Sequence, residues 1–219
     1  MSDYRTAEPI RMYIFGNSIS WHEAIEGTLW QRTCGMAASA PERDWVHLII
    51  EMLQERTQRK FLTEVSNAAD FFERNFRAFS PEKFADALQA ISADIILFQL
   101  GDNVNFFASD DKEVFVRNYT NFVNALRREN RLLLMTSPFY PYRRQEEATR
   151  EVALNTGIFY ANIAHLQLLD QRNLAIDQYQ HHEFIEQHPS DRGMQGIAES
   201  VFAVLYPAYQ LMFGQHDAQ

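Results

Sequence analysis

The amino-acid sequence predicts a three-layer α/β/α fold around a central parallel sheet of about five strands. Two observations predict it. Short apolar runs of strand length alternate with amphipathic segments of about a dozen residues, the rhythm of strand–helix–strand units with right-handed crossovers. No internal repeat, low-complexity tract or linker interrupts that rhythm, so the units belong to one sheet covered on both faces.

Arg11–Phe15 (RMYIF), closed by Gly16, is the first strand. Ser39-Ala40-Pro41-Glu42 has capping-box spacing, and Trp45, Leu48, Ile49, Met52 and Leu53 follow at helical spacing, which predicts a helix over 41–58. Phe61–Val65 is the second strand, and the Phe-rich stretch Ala68–Phe79 a helix or helical turn. Ser80-Pro81-Glu82-Lys83 opens a helix to about Ile91, because proline is pre-organised for a first helical turn. Asp94–Leu100 (DIILFQL) is a buried strand ending at Gly101. Lys112–Asn130 reads as a helix, Arg131–Thr136 as a strand, Arg143–Thr156 as a helix and Ile158–Ile163 as a strand. The polar segment Gln178–Asp191 precedes a last helix, Arg192–Leu205. Some 20 residues separate Ser18 from Ser39, against about 2–6 in a simple strand–helix connection, which predicts a short helix or lid over the substrate pocket.

A length of 219 residues fits one domain, expected to span residues 1–219. With 29 acidic residues against 20 Lys and Arg, the net charge is −9, which disfavours nucleic acid and anionic membrane surfaces as partners. No apolar run approaches the roughly 18–20 residues that span a bilayer. The first residues, MSDYRTAEPIR, carry no secretory pattern, and the single cysteine, Cys34, has no internal disulfide partner, so a reducing cytoplasm is expected. Cys34 itself reads as a small core hydrophobe. His181, His182, Glu183 and His188 lack a second spaced cluster to complete a metal shell, so neither a metal nor a cofactor is expected.

In parallel α/β sheets ligands bind beyond the carboxyl ends of the strands. Three polar signatures stand at such places: Gly16-Asn17-Ser18, Gly101-Asp102-Asn103, and His188-Pro189-Ser190-Asp191 before the last helix. A serine becomes a nucleophile when a base takes its proton and donors receive the charge that develops on the attacked carbonyl. Ser18, His188 and Asn103 supply those three groups.

These segments resemble the SGNH hydrolases, also called GDSL-type lipases and esterases. Gly16-Asn17-Ser18-Ile19-Ser20 stands where that family has G-D-S-[IL]-[ST], Gly101-Asp102-Asn103-Val104 where it has G-x-N-D, and His188-Pro189 where it has D-x-x-H-P. Gly35–Ser39 is similar to a Gly-Met-Ala-Ala-Ser segment in one branch of the family. The resemblance runs over nearly the whole chain and implies a flavodoxin-like SGNH fold. It also implies Ser18 as nucleophile, His188 as general base and then acid, and an oxyanion hole from the Ser18 N–H and the Asn103 amide. The family's remaining donor, a glycine N–H, has no clean counterpart, and Asn67 or its neighbours in Val65-Ser66-Asn67-Ala68-Ala69 take that place.

Three positions depart from the pattern. Ile185 replaces the Asp that orients the histidine, and an aliphatic side chain cannot accept the Nδ1 proton. That leaves a Ser-His dyad held by a backbone carbonyl, or a substitute among Glu183, Glu186 and Asp191. Asn17 replaces Asp and removes a local charge, and Val104 replaces Asp and removes a supporting group.

The leading expectation is a serine esterase acting on an O-acetyl or other small acyl ester, with a small molecule or a carbohydrate as the alcohol. Trp21, Trp30, Phe106 and Phe107 flank the motifs, where aromatic faces stack on sugars or line an acyl pocket as readily as they pack the core. Two alternatives remain open: an O-acetyltransferase using the same serine, and a degenerate glycan-binding module in which Ser18 and His188 lie apart.

Overall fold

The computed structural model describes residues 8–180 and 182–214, without the Glu183 side chain, so His181 and that carboxylate lie outside the described residues. The strands β1 (Ile10–Gly16), β2 (Phe61–Asn67), β3 (Ile95–Phe98), β4 (Leu132–Thr136) and β5 (Phe159–Ala161) form an all-parallel sheet in the order β2-β1-β3-β4-β5. The helices are α1 (Trp45–Thr57), α2 (Ala85–Ala90), α3 (Asp111–Ala125), α4 (Arg143–Thr156), α5 (His165–Leu169), α6 (Glu183–Glu186) and α7 (Asp191–Phe213). No helix among the described residues is long and apolar enough to cross a membrane.

β3 and β4 are buried throughout because helices cover both faces, which is why their sequences are unbroken apolar runs. α1 and α7 contribute Trp45, Ile49, Leu53, Ile197 and Val201 to one core, against Ile14 and Leu97 of the sheet. The opposite core is aromatic. Phe15 and Phe98 of the sheet meet Phe115, Tyr119 and Phe122 of α3 and Phe72 and Phe79 from the segment after β2. Edge-to-face pairs such as Phe15–Phe122 (4.9 Å, 71°) and Phe72–Phe79 (5.0 Å, 88°) add about 0.5–1.5 kcal/mol each to the burial. Strand order reverses between β1 and β3, and that switch opens a crevice at the carboxyl ends of β1, β2 and β3.

Several local expectations change. The predicted capping box does not form: Pro41–Arg43 is a 3-10 turn, and α1 is capped by Asp44, whose carboxylate accepts the His47 N–H at 2.8 Å. Ser39 turns instead to Asp191 at the start of α7, through its N–H (2.8 Å) and Oγ (2.5 Å). The segment between Ser18 and Ser39 contains no helix. It is a strap pinched by an antiparallel bridge between His22 and Cys34, with Trp30 folded into the core and the residues from Gly27 to Leu29 exposed. After β2 the helical geometry is limited to one π-helical turn, Ala69–Glu73, and the 80–91 helix splits into a 3-10 turn, Pro81–Phe84, and α2. α7 runs eight residues past the expected Leu205, through Pro207. Pro207 and Ala203, whose carbonyl loses its helical donor, are both exposed, while Ala208 and Tyr209 are buried and hold the last turns to the core.

Candidate active site

Ser18 stands just beyond β1, where the chain turns sharply: the Ser20 and Trp21 N–H groups both donate to the Asn17 carbonyl at 3.0 Å. The turn requires Gly16, since a Cβ there would lie 2.1 Å from Ser20 Oγ. Among the described residues no protein acceptor takes the Ser18 N–H.

His188 arrives from the loop before α7 and places Nε2 2.9 Å from Ser18 Oγ. The ring is 5% exposed, and Phe184 packs edge-on against it at 5.5 Å. Among the described residues its Nδ1 has no hydrogen-bond partner. Ile185 is buried in the apolar core, and Asp191 is held by Ser39, so neither orients the imidazole. Burial pushes the His188 imidazole down to about 4, with His22 adding like-charge repulsion; the nearby carbonyls of Phe184 and Ile185 oppose the shift without bonding Nδ1 in good geometry.

Asn103 follows β3 in a turn built on Gly101, whose φ of 127° and contact with Pro138 exclude a side chain. Two neighbours fix which way its amide faces. Nδ2 donates to Glu73 Oε2 at 2.6 Å, and Oδ1 accepts from the Arg74 guanidinium at 3.2 Å, leaving a second amide N–H. Asn67, at the end of β2, is pinned more tightly: Nδ2 donates to the Trp21 carbonyl (2.9 Å) and Oδ1 accepts the Ala69 N–H (3.1 Å). The Ala68 N–H is also taken, by the Gly16 carbonyl at 2.7 Å.

The sequence reading missed the part played by two buried carboxylates at this site. Asp102 accepts the Phe139 and Tyr140 N–H groups on Oδ1, and the Asn17 and Gln99 amides on Oδ2. Glu73, fully buried, accepts from Gly101, Asn103 and Asn17. Burial and the Glu73 charge push the Asp102 carboxyl up to about 7, against N–H donors that favour the anion. Burial likewise raises the Glu73 carboxyl. The only sequence signal for Glu73 is a charge inside a Phe stripe, Phe71-Phe72-Glu73 and Phe76.

Ser18, Asn67, Asn103 and His188 line one cleft of about 680 Å³. Its aromatic wall differs from the expected one. Trp30 lies in the core and Phe106 packs on Phe76 and Phe115, whereas Tyr140, Tyr142 and Phe184 face the cleft. Phe107, 91% exposed, borders an adjoining hollow that shares Asn103 and Arg74. Cys34 is buried with its thiol pushed up to about 12, chiefly by burial, so it stays protonated and inert. No group of three His, Cys, Asp or Glu side chains able to hold a metal forms among the described residues.

No protein-family model and no curated protein matches the chain in sequence. Solved structures do match. A mutant of the Geobacillus acetyl-xylooligosaccharide esterase Axe2 aligns with a TM-score of 0.57 at 12% identity, over 90% of this chain and 94% of that one. The psychrotrophic esterase EstA of Pseudoalteromonas aligns at 0.55 and 14% identity, over 91% and 98%. A Bacteroides uniformis protein described as a GDSL-like lipase aligns at 0.58 and 13% identity, over 94% and 100%. Strand order, placement of the polar motifs and these alignments agree: the chain has the fold of the SGNH, or GDSL-type, hydrolases.

Proposed function

We propose that the protein is a serine esterase that removes an O-acetyl or other small acyl group, with a carbohydrate as the alcohol. The 2.9 Å contact between Ser18 Oγ and His188 Nε2 carries this reading, since a degenerate binding module has no need to hold those atoms together. Ser18 Oγ attacks the ester carbonyl as His188 Nε2 takes its proton. The oxyanion meets the Ser18 N–H and the remaining amide hydrogens of Asn103 and Asn67. His188 returns the proton to the leaving alcohol, giving an acyl-Ser18. Water, deprotonated by His188, then attacks the acyl carbon; the acid leaves and Ser18 recovers its proton. Burial keeps the base neutral at neutral pH, and among the described residues no carboxylate meets the imidazolium formed in the transition state.

The exposed faces of Tyr142 and Phe184 on the cleft support a sugar alcohol, as does the likeness to an esterase of acetylated xylooligosaccharides. Labelling with a fluorophosphonate probe and hydrolysis of p-nitrophenyl acetate, both lost in Ser18→Ala, are the expected results. An unlabelled, inactive wild-type protein would refute the assignment. Adding a sugar acceptor separates hydrolysis, which frees acetate, from acyl transfer, which acetylates the sugar.

A further inference from the structure

Glu73 is an expensive residue in its place. Its carboxylate is wholly buried, and no cation among the described residues touches it: the neighbouring Arg74 guanidinium goes to Asp70 and to Asn103 Oδ1. What holds it is a set of N–H dipoles aimed from the catalytic motifs. Gly101 N–H and Asn17 Nδ2 (3.2 Å) meet Oε1, and Asn103 Nδ2 meets Oε2 at 2.6 Å. Asn17 cannot turn away, because its Oδ1 accepts the Ile19 N–H at 3.0 Å, and so its amide is shared between Glu73 and Asp102 Oδ2 at 3.1 Å.

We propose that Glu73 is a positioning residue that acts through Asn103, locking the side-chain amide in one orientation that leaves its second N–H for the substrate. Asn17 keeps the arrangement together by supplying the one donor common to both buried carboxylates. This rests on the esterase reading above. An acceptor on one side and a guanidinium on the other leave the Asn103 amide a single orientation before substrate arrives, so the donor needs no reorganisation as charge develops on the substrate. Glu73→Gln presents an amide where Asn103 needs an acceptor, which removes that preference.

A double-mutant cycle tests it, with p-nitrophenyl acetate as substrate and Tm as the check on folding. Glu73→Gln should lower kcat by about ten- to a hundredfold with KM little changed. In an Asn103→Ala background the same substitution should change kcat by less than about threefold, because residues acting as one unit are not additive. An equal loss in both backgrounds, or no loss in either, overturns the proposal. The Asn103 amide protons, assigned in NMR spectra by their absence from Asn103→Ala, give a readout that needs neither activity nor a folded Glu73 variant. One should be shifted downfield and exchange slowly in the wild-type protein. Two ordinary, fast-exchanging protons would overturn the positioning role even in an inactive protein, whereas loss of activity alone, with that signature present, would count against the esterase reading instead.

Discussion

Ser18 Oγ and His188 Nε2 meet at 2.9 Å across 170 residues of sequence, while the opposite nitrogen of the same imidazole meets no acceptor among the described residues. The imidazole is thus aimed at the serine hydroxyl through Nε2. Among the described residues its orientation comes from packing, through Phe184 and the backbone of the turn before α7.

Since burial and His22 push His188 down to about 4, the catalytic neutral form persists well below the ordinary histidine range. The acid limb of kcat/KM should therefore lie near pH 4, with little loss at pH 6, in a pH–rate profile on an acetyl ester. The sign for stability follows the same shift. The unfolded chain takes up a proton near pH 6.5 that the folded chain refuses until about 4, so this residue's contribution is full above that window and is lost as pH falls through it.

Ile185→Asp restores the residue type that the family places three positions before its histidine. Here that position is 2% exposed and lies in the apolar core, so a carboxylate should cost about 3–5 kcal/mol and lower Tm by about 10 °C in thermal unfolding. In the folded fraction a nearby anion should raise the His188 pKa and move the acid limb upward from about 4.

Asn103→Ala removes the proposed oxyanion donor and should lower kcat by about 10²–10³, worth ~3–4 kcal/mol, with a much smaller change in KM. It also strips Glu73 of its 2.6 Å donor, so chemical denaturation should show a loss of about 1–3 kcal/mol.

Asn17→Asp puts a third carboxylate against Glu73 and Asp102 and turns the shared donor into an acceptor. The expected cost is about 3–5 kcal/mol at neutral pH, measured by denaturant unfolding, and Asp102→Asn in the same chain should restore part of it. Carboxyl groups crowded in this way have raised pKa values, so the deficit should shrink as pH falls from 7 toward 4 and one of them takes up a proton.

The strands were legible because a sheet covered on both faces demands unbroken apolar runs, and Asp94–Leu100 and Arg131–Thr136 contain nothing else of consequence at their centres. Ser18, Asn103 and His188 were legible for a related reason: each stands where a strand ends or a helix is about to begin. The rest depends on partners remote in sequence. Ser39 looks like a helix cap until Asp191, 152 residues away, claims its hydroxyl. Asp102 looks like a turn residue until Asn17 and Phe139 close around it. Glu73 looks like the polar edge of an amphipathic stripe, and only the π-helical turn swings it inward. Pro207 looks like a stop, yet the helix passes it at an exposed position, with Ala203 one turn back exposed as well.

The strap between Ser18 and Ser39 leaves the proposed nucleophile and returns to a hydrogen bond with Asp191, three residues beyond His188. The His22–Cys34 bridge isolates its outer part from both ends. Sequence exchanged between Glu23 and Thr33 is therefore absorbed outside the bridge, provided a large apolar side chain still fills the place of Trp30, and the Ser18–His188 distance is insulated from it. That makes the strap a replaceable module: its length and chemistry can be rewritten, by evolution or by loop grafting, without disturbing the cleft that Ser18 and His188 share.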